Sequence, residues 1–226
     1  MSQGKDVQIQ LALLIEEAEE IDENLMQRLA EIYQWIKDLK QGQIQAKRLL
    51  LAFLIQLIED AETYLNIQEN EVCLEEQTAV EQYWYGTLFP RWLKQPDPKF
   101  EYWKPKLKRE DLPQDDKLLK QMAYCINQKP DGQTWRSFIA DFSMATDLIV
   151  SYHQQKSLCI QLTTLSEEHQ GEKYQEWQKT LQYWQIPRGL FLSYNPSKTD
   201  AVNRLVNTVF MNSDSCKDGQ YKRFDA

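Results

Sequence analysis

Asp147 opens an apolar run, Leu148 to Val150, and Gln161 and Thr163 stand at alternate positions of the next one, which begins at Leu158. Alternate residues of a strand share a face. The spacing therefore predicts Gln161 and Thr163 side by side, within a side chain's reach of Asp147. Glu168, Glu172 and Lys173 follow in the first turns of an amphipathic segment. Carboxylate oxygens are what a hard divalent cation needs to replace its water, and Asp147 is the only acid on the two strands. Cation binding at this place would then depend on Glu168 or Glu172 turning inward.

Other chemistries find little support. The two histidines, His153 in a turn and His169 on the amphipathic segment, are too few for a histidine-rich metal site or a Ser/His/Asp arrangement. Cys73, Cys125, Cys159 and Cys216 lie far apart without a CxxC pair, so they read as ordinary thiols. Neither GxGxxG nor GxxxxGK[ST] occurs among the seven glycines, which leaves no phosphate-cradling loop.

The elements that would position these residues are legible in outline. Leu118, Leu119, Met122, Ala123 and Ile126 predict a short amphipathic helix, with Asp115 as its N-cap and Asp116 beside it. A strand is expected over Thr134 to Phe142, then strands at Thr146–Tyr152 and Leu158–Thr163 joined by a short polar connection. A helix to about Trp184 carries Tyr174, Trp177, Leu181 and Trp184 along one stripe, and Arg188–Tyr194 returns as a strand. Asn203–Phe210 reads as one more helix, followed by a frayed tail.

Helix, three strands, helix, strand, with Asp147 at the opening of the second strand and Gln161 and Thr163 on the third, resembles the PD-(D/E)XK, or restriction-endonuclease-like, superfamily over the last half of the chain. The resemblance implies that Asp147 and Gln161 hold Mg²⁺, with Gln161 in the place of a second acid. It implies that Thr163 stands where the family's lysine belongs. Family members sometimes move a site residue onto the following helix, which makes Lys173 the candidate cation and Glu168 and Glu172 candidate metal ligands. The catalytic set so implied is Asp147, Gln161, Thr163 and Lys173. It also implies a nucleic-acid partner, processed by a metal-dependent nuclease or bound by a catalytically inactive, regulatory relative. A helical adaptor whose sheet domain is purely structural is the alternative from another class.

The first half has a different character. From Val7 to Lys40 apolar residues recur at helical spacing without glycine or proline, and after Gly42 a second such segment runs from Ile44 to Asn66. This predicts one helix of some thirty residues paired with a second in an antiparallel hairpin. Two helices bury too little alone, so a further helix, the rest of the chain or a second copy must pack on them, and a homo-oligomer or a partner protein is expected through these helices. Residues 67–112 add a helix and an aromatic, proline-rich connector that ends in the basic run Lys104 to Arg109. Basic residues interleaved with aromatics can hold single-stranded nucleic acid, or simply cover a packed linker.

The fold class expected is α+β: a helical region over residues 1–112, then a restriction-endonuclease-like α/β domain over 113–226. With 42% apolar and 12% aromatic residues the 226-residue chain can pack a core. Its formal charge of −8 gives no general basic face for nucleic acid. Residues 1–66 carry 12 acids against 6 bases, whereas 113–226 carry 13 of each. No signal peptide or membrane-spanning run is apparent, and the expectation is a soluble, cytoplasmic protein.

Overall fold

The computed structural model describes residues 7–108, 116–153, 156–164, 167–195 and 200–225. The chain is α+β, with helices first and a sheet afterwards. It divides into two compact units, residues 1–76 with 89–112 and residues 77–88 with 113–226. The segment 77–88, contiguous in sequence with the helical region, thus groups by its contacts with the sheet.

In the first unit the expected long helix is instead two, α1 (Val7–Ile21) and α2 (Glu23–Ile36). Asp22 makes the turn. Its backbone is extended (φ −146°, ψ 103°), and its carboxylate accepts from the backbone N–H of Asn24 (2.9 Å) and Leu25 (3.2 Å). An aspartate that caps the orphan N–H groups of a new helix ends the old one even where the apolar spacing continues. The two helices fold back on each other, since the Gln8 carboxamide near the start of α1 reaches the carbonyl of Ile36 at 3.0 Å. A short helix α3 (Gln41–Ala46) and the long α4 (Arg48–Gln68) follow, and Tyr64 of α4 donates to Asp22 at 2.9 Å.

The aromatic connector is largely helical rather than irregular. After a 3-10 turn at Leu74–Glu76 come α5 (Ala79–Tyr83), a π-helical turn at Trp84–Leu88, α6 (Phe89–Lys94) and α7 (Phe100–Leu107). Its indoles act as core, with Trp92 and Trp103 fully buried. Trp103 meets Phe53 and Phe100 at ring-centroid distances of 5.2 and 4.9 Å. Asp97 accepts from the Nε1–H of both Trp103 (3.0 Å) and Trp92 (3.3 Å). Buried indole N–H groups need such acceptors, which explains why the prolines do not leave this segment loose.

The second unit is built on five strands among the described residues: β1 (Gln133–Trp135), β2 (Leu148–Ser151), β3 (Leu158–Thr163), β4 (Arg188–Ser193) and β5 (Gln220–Asp225), in that spatial order. The first three are antiparallel neighbours, while β3, β4 and β5 are parallel. Helices α10 (Glu167–Tyr183) and α11 (Ala201–Ser213) make the two parallel crossovers. Leu148, Val150, Ile160, Leu162, Leu190 and Leu192 point to one face, against α8 (Asp116–Asn127) and α11.

Two elements depart from the sequence pattern. The strand expected over Thr134–Phe142 stops at Trp135, and Phe138–Met144 is a helix, α9. Ser137 caps it through Ile139 N–H at 3.2 Å, and Phe138 stacks on Phe142 one turn later with centroids 5.9 Å apart. The expected frayed tail is β5, which is held by backbone pairing to β4 rather than by an apolar face. Gly219, at φ +81°, turns the chain into it, a conformation that glycine adopts without a Cβ penalty.

Candidate functional site on the sheet face below α10

The opposite parity of β2, β3 and β4 faces α10. The ladder pairs Leu148 with Ile160, so the next pair outward sets Asp147 opposite Gln161, on one face. The parallel register sets Thr163 beside Ser193. Gly189, also on this face, lets α10 come close: a Cβ there would lie 2.7 Å from Trp177 Cη2 and would overlap Leu181.

β2 begins at Leu148, so the end of β3 runs past its antiparallel neighbour. Side chains take over the hydrogen bonds. Asp147 Oδ2 accepts from the Leu162 N–H at 2.6 Å and from Gln161 Nε2 at 2.6 Å. The same Nε2 donates to the Leu162 carbonyl at 3.1 Å. The amide nitrogen thus sits between two oxygens, the carboxylate of the half-buried Asp147 and the carbonyl of Leu162, a residue that is 2% exposed.

α10 completes the cluster and fixes its frame. Lys173 Nζ reaches Thr163 Oγ1 at 3.1 Å, with Thr163 only 2% exposed. Farther along the helix, Trp177 Nε1 donates to the Ala145 carbonyl at 3.1 Å and Trp184 Nε1 to the Ser143 carbonyl at 2.9 Å. Ala145 is in the left-handed conformation (φ 51°) that ends α9. The helix that carries Lys173 therefore also pins the corner from which Asp147 emerges.

The expected site residues fall into groups. Asp147, Gln161, Thr163 and Lys173 come together. Glu172 is exposed and makes no bond to the cluster, and the side chain of Glu168 lies outside the described residues, as does that of His169. Asp115 also lies outside them. Asp116 is engaged elsewhere, with Lys120 at 2.6 Å and Arg136 at 3.0 Å. Burial raises its carboxyl, but the hydrogen bonds from Lys120 and Arg136 outweigh this and hold it below the usual range. His153 is exposed beside Asp131 at 3.3 Å. Cys159, on the same sheet face as Gln161, is buried, which pushes its thiol up to about 12; it is no nucleophile near neutral pH.

Among the described residues no group of three histidine, cysteine or acidic side chains could hold a metal ion. The donor set at Asp147 is of another type. It contains one carboxylate, a main-chain carbonyl and a carboxamide whose oxygen replaces its nitrogen on a half-turn about its last torsion. Mg²⁺ is commonly held by one or two carboxylates with water and substrate phosphate supplying the rest, and the set fits that pattern. Sequence reasoning did not find the Leu162 carbonyl, because main-chain groups leave no mark on residue types. Ser193 was missed as well, since the parallel register that brings it to Thr163 is not legible from either strand alone.

No protein-family profile, curated protein sequence or solved structure matches the chain. Among the described residues no helix is long and apolar enough to cross a membrane.

Proposed function

We propose that the second unit is a nucleic-acid-processing domain of the PD-(D/E)XK kind, a Mg²⁺-dependent nuclease whose cation comes from α10 rather than from β3. The observation that carries this reading is the Lys173–Thr163 contact at 3.1 Å. The position where the superfamily has its lysine is occupied by a hydroxyl, and an ammonium group from the following helix is delivered to it. The order α8, β1, β2, β3, α10, β4, with α9 inserted after β1, supports the same reading.

In this proposal Asp147, the Leu162 carbonyl and the Gln161 carboxamide oxygen would hold the ion. Mg²⁺ in such a place supplies a Lewis acid for the phosphoryl oxygen and lowers the pKa of bound water. The protein's own part is electrostatic. Lys173 presents a positive charge on the sheet face that carries Asp147, suited to charge developing on a phosphate, while Thr163 and the two indole contacts of α10 fix where that charge sits.

A second reading, a catalytically inactive member that binds nucleic acid or regulates a partner, is favoured by the Asp147 carboxylate, one oxygen of which is engaged by two hydrogen bonds at 2.6 Å from the protein itself. One experiment separates them: cleavage of single- and double-stranded DNA and RNA with Mg²⁺ or Mn²⁺, comparing the natural chain with Asp147→Ala. Metal-dependent cleavage that vanishes in the variant supports the nuclease. No cleavage, or equal cleavage by both, leaves the inactive reading.

For the helical unit we propose self-association through α1, where Ile9 and Leu13, one turn apart, are 58% and 59% exposed. Light scattering of the natural chain against Leu13→Glu tests this, and a monomer in both cases would refute it.

A further inference from the structure

We propose that one end of the helical unit is a docking surface for the phosphate backbone of single-stranded nucleic acid, separate from the sheet site and independent of whether that site is catalytic. Its basis is a separation of charge within an acidic unit. Residues 16–23 carry six acids and no base. They lie at the turn made by Asp22, to which the Tyr64 hydroxyl ties the later part of α4 at 2.9 Å. Glu59 and Glu62 of α4 belong to the same end: burial, then the charges of Glu17 and Glu59, raise the Glu62 carboxyl.

The other end has the opposite sign. Residues 37–48 and 99–108 together carry eight bases and two acids. Folding brings the two stretches together, because Lys47 Nζ donates to the Lys108 carbonyl at 3.1 Å and Lys108 Nζ lies over the Trp35 ring at 5.5 Å. Lys37 follows that indole by two residues. Lys40 and Lys47 flank α3, a six-residue helix of roughly 9 Å. Lys37, Lys40, Arg48 and Lys108 are exposed, and Lys47 and Lys106 are half-exposed. None of these six pairs with a carboxylate among the described residues, whereas Lys104 is neutralised by Glu101.

Two observations favour a nucleic-acid strand over other polyanions. Holding this many unpaired cations close together is unfavourable, and phosphates spaced along a strand relieve it while releasing condensed counterions. Beside them, Tyr102 presents a ring that is 66% exposed, with Lys106 Nζ 4.3 Å from its centroid. A solvent-facing aromatic next to cations is what a base stacks on when its strand is held by the backbone. An anionic membrane would call for several apolar side chains inserted among the cations, whereas the exposed aliphatic residue that the Gln8 bonds to the Ile36, Lys37 and Leu39 carbonyls bring to this end is Ile9, with Leu13 a turn further along α1; the vesicle measurement below separates the two.

The test is fluorescence anisotropy of a labelled deoxythymidine oligomer with the full chain in EDTA, across a range of salt. The natural chain should bind with a strong salt dependence. The triple variant Lys37→Gln/Lys47→Gln/Lys108→Gln should lose at least about tenfold in affinity, and its logarithmic salt slope should be shallower by about 2, at roughly 0.7 per phosphate contact on a single strand. Tyr102→Ala should weaken binding at least about fivefold without changing that slope. All substituted groups are surface side chains, and unchanged thermal melting shows that the variants are folded. The affinity is read in EDTA, where no metal-dependent cleavage occurs, so failure of the nuclease reading leaves this result intact. Absence of binding, binding undiminished in the triple variant, or equal retention on phosphatidylserine vesicles would overturn the proposal. So would a low-salt dimer in which the acidic end of a second copy occupies this surface and excludes the oligomer.

Discussion

Lys173 Nζ and Thr163 Oγ1 lie 3.1 Å apart, an ammonium on a helix meeting a buried hydroxyl on the strand below it. If the cation matters by its position and not by its place in the chain, it can be supplied from either element. Lys173→Ala should reduce metal-dependent cleavage at least about tenfold, the loss expected when an electrostatic stabiliser is removed. Thr163→Lys in the Lys173→Ala background should recover much of it. Failure of the double variant to exceed Lys173→Ala in single-turnover cleavage, with its melting temperature preserved, would count against an exchangeable cation.

Gln161→Glu replaces a donor by a second carboxylate beside Asp147, where the nitrogen now donates at 2.6 Å. Two carboxylates at that distance cannot both ionise easily, so one pKa rises above its unfolded value. A group with a raised folded pKa favours the fold at low pH and disfavours it as pH rises through that value. The variant should therefore melt lower than the natural chain by an amount that grows between about pH 4 and 7. Mn²⁺ should reverse the loss, because the ion takes the place of the missing proton. Calorimetric scans at several pH values, with and without Mn²⁺, check both signs.

The parity of Asp147, Gln161 and Thr163 was legible because a strand has a period of two and Leu148, Ile160 and Leu162 mark the alternate, apolar positions beside them. The α+β order was legible for the same reason. What escaped were places where one polar residue overrides a continuing apolar pattern. Asp22 splits α1 from α2, and Ser137 starts a helix in a run of residues that suits a strand, each by capping N–H groups through its side chain. The sequence signal, Asp or Ser just ahead of an apolar turn, was present in both. β5 had no such signal, since Tyr221, Lys222 and Arg223 make an edge strand whose partner β4 supplies the order.

Asp22 gives the helical unit a defined acid sensitivity. Burial raises its carboxyl, but the hydrogen bonds from Tyr64, Leu25 and Asn24 together outweigh this and hold it below its ordinary value. A depressed carboxylate stabilises the fold above the unfolded pKa, and that contribution is lost as pH falls through the folded value. Stability from this residue should thus be complete above about pH 4 and decline below it. Asp22→Ala should cost about 1 kcal/mol or more at neutral pH through the lost cap. Asp22→Asn should keep most of the cap and flatten the acid limb, which urea melts at pH 3 and pH 7 would measure.

Gly189 links the core to the site. A methyl at this position would lie 2.7 Å from Trp177 Cη2 and against Leu181, both on the helix that delivers Lys173. Overpacking of this kind costs about 1–3 kcal/mol, and the helix can relieve it by moving away from the sheet. Such a movement strains three contacts together: Trp177 to the Ala145 carbonyl, Trp184 to the Ser143 carbonyl, and Lys173 to Thr163. Gly189→Ala should therefore lower both the melting temperature and metal-dependent cleavage. Shortening the obstructing side chain, in Gly189→Ala/Leu181→Ala, should restore part of the cleavage even though the second change removes buried surface of its own. Recovery of activity without recovery of stability would place the effect in the seating of α10. Parallel loss of both in the double variant would show that Gly189 serves the core alone.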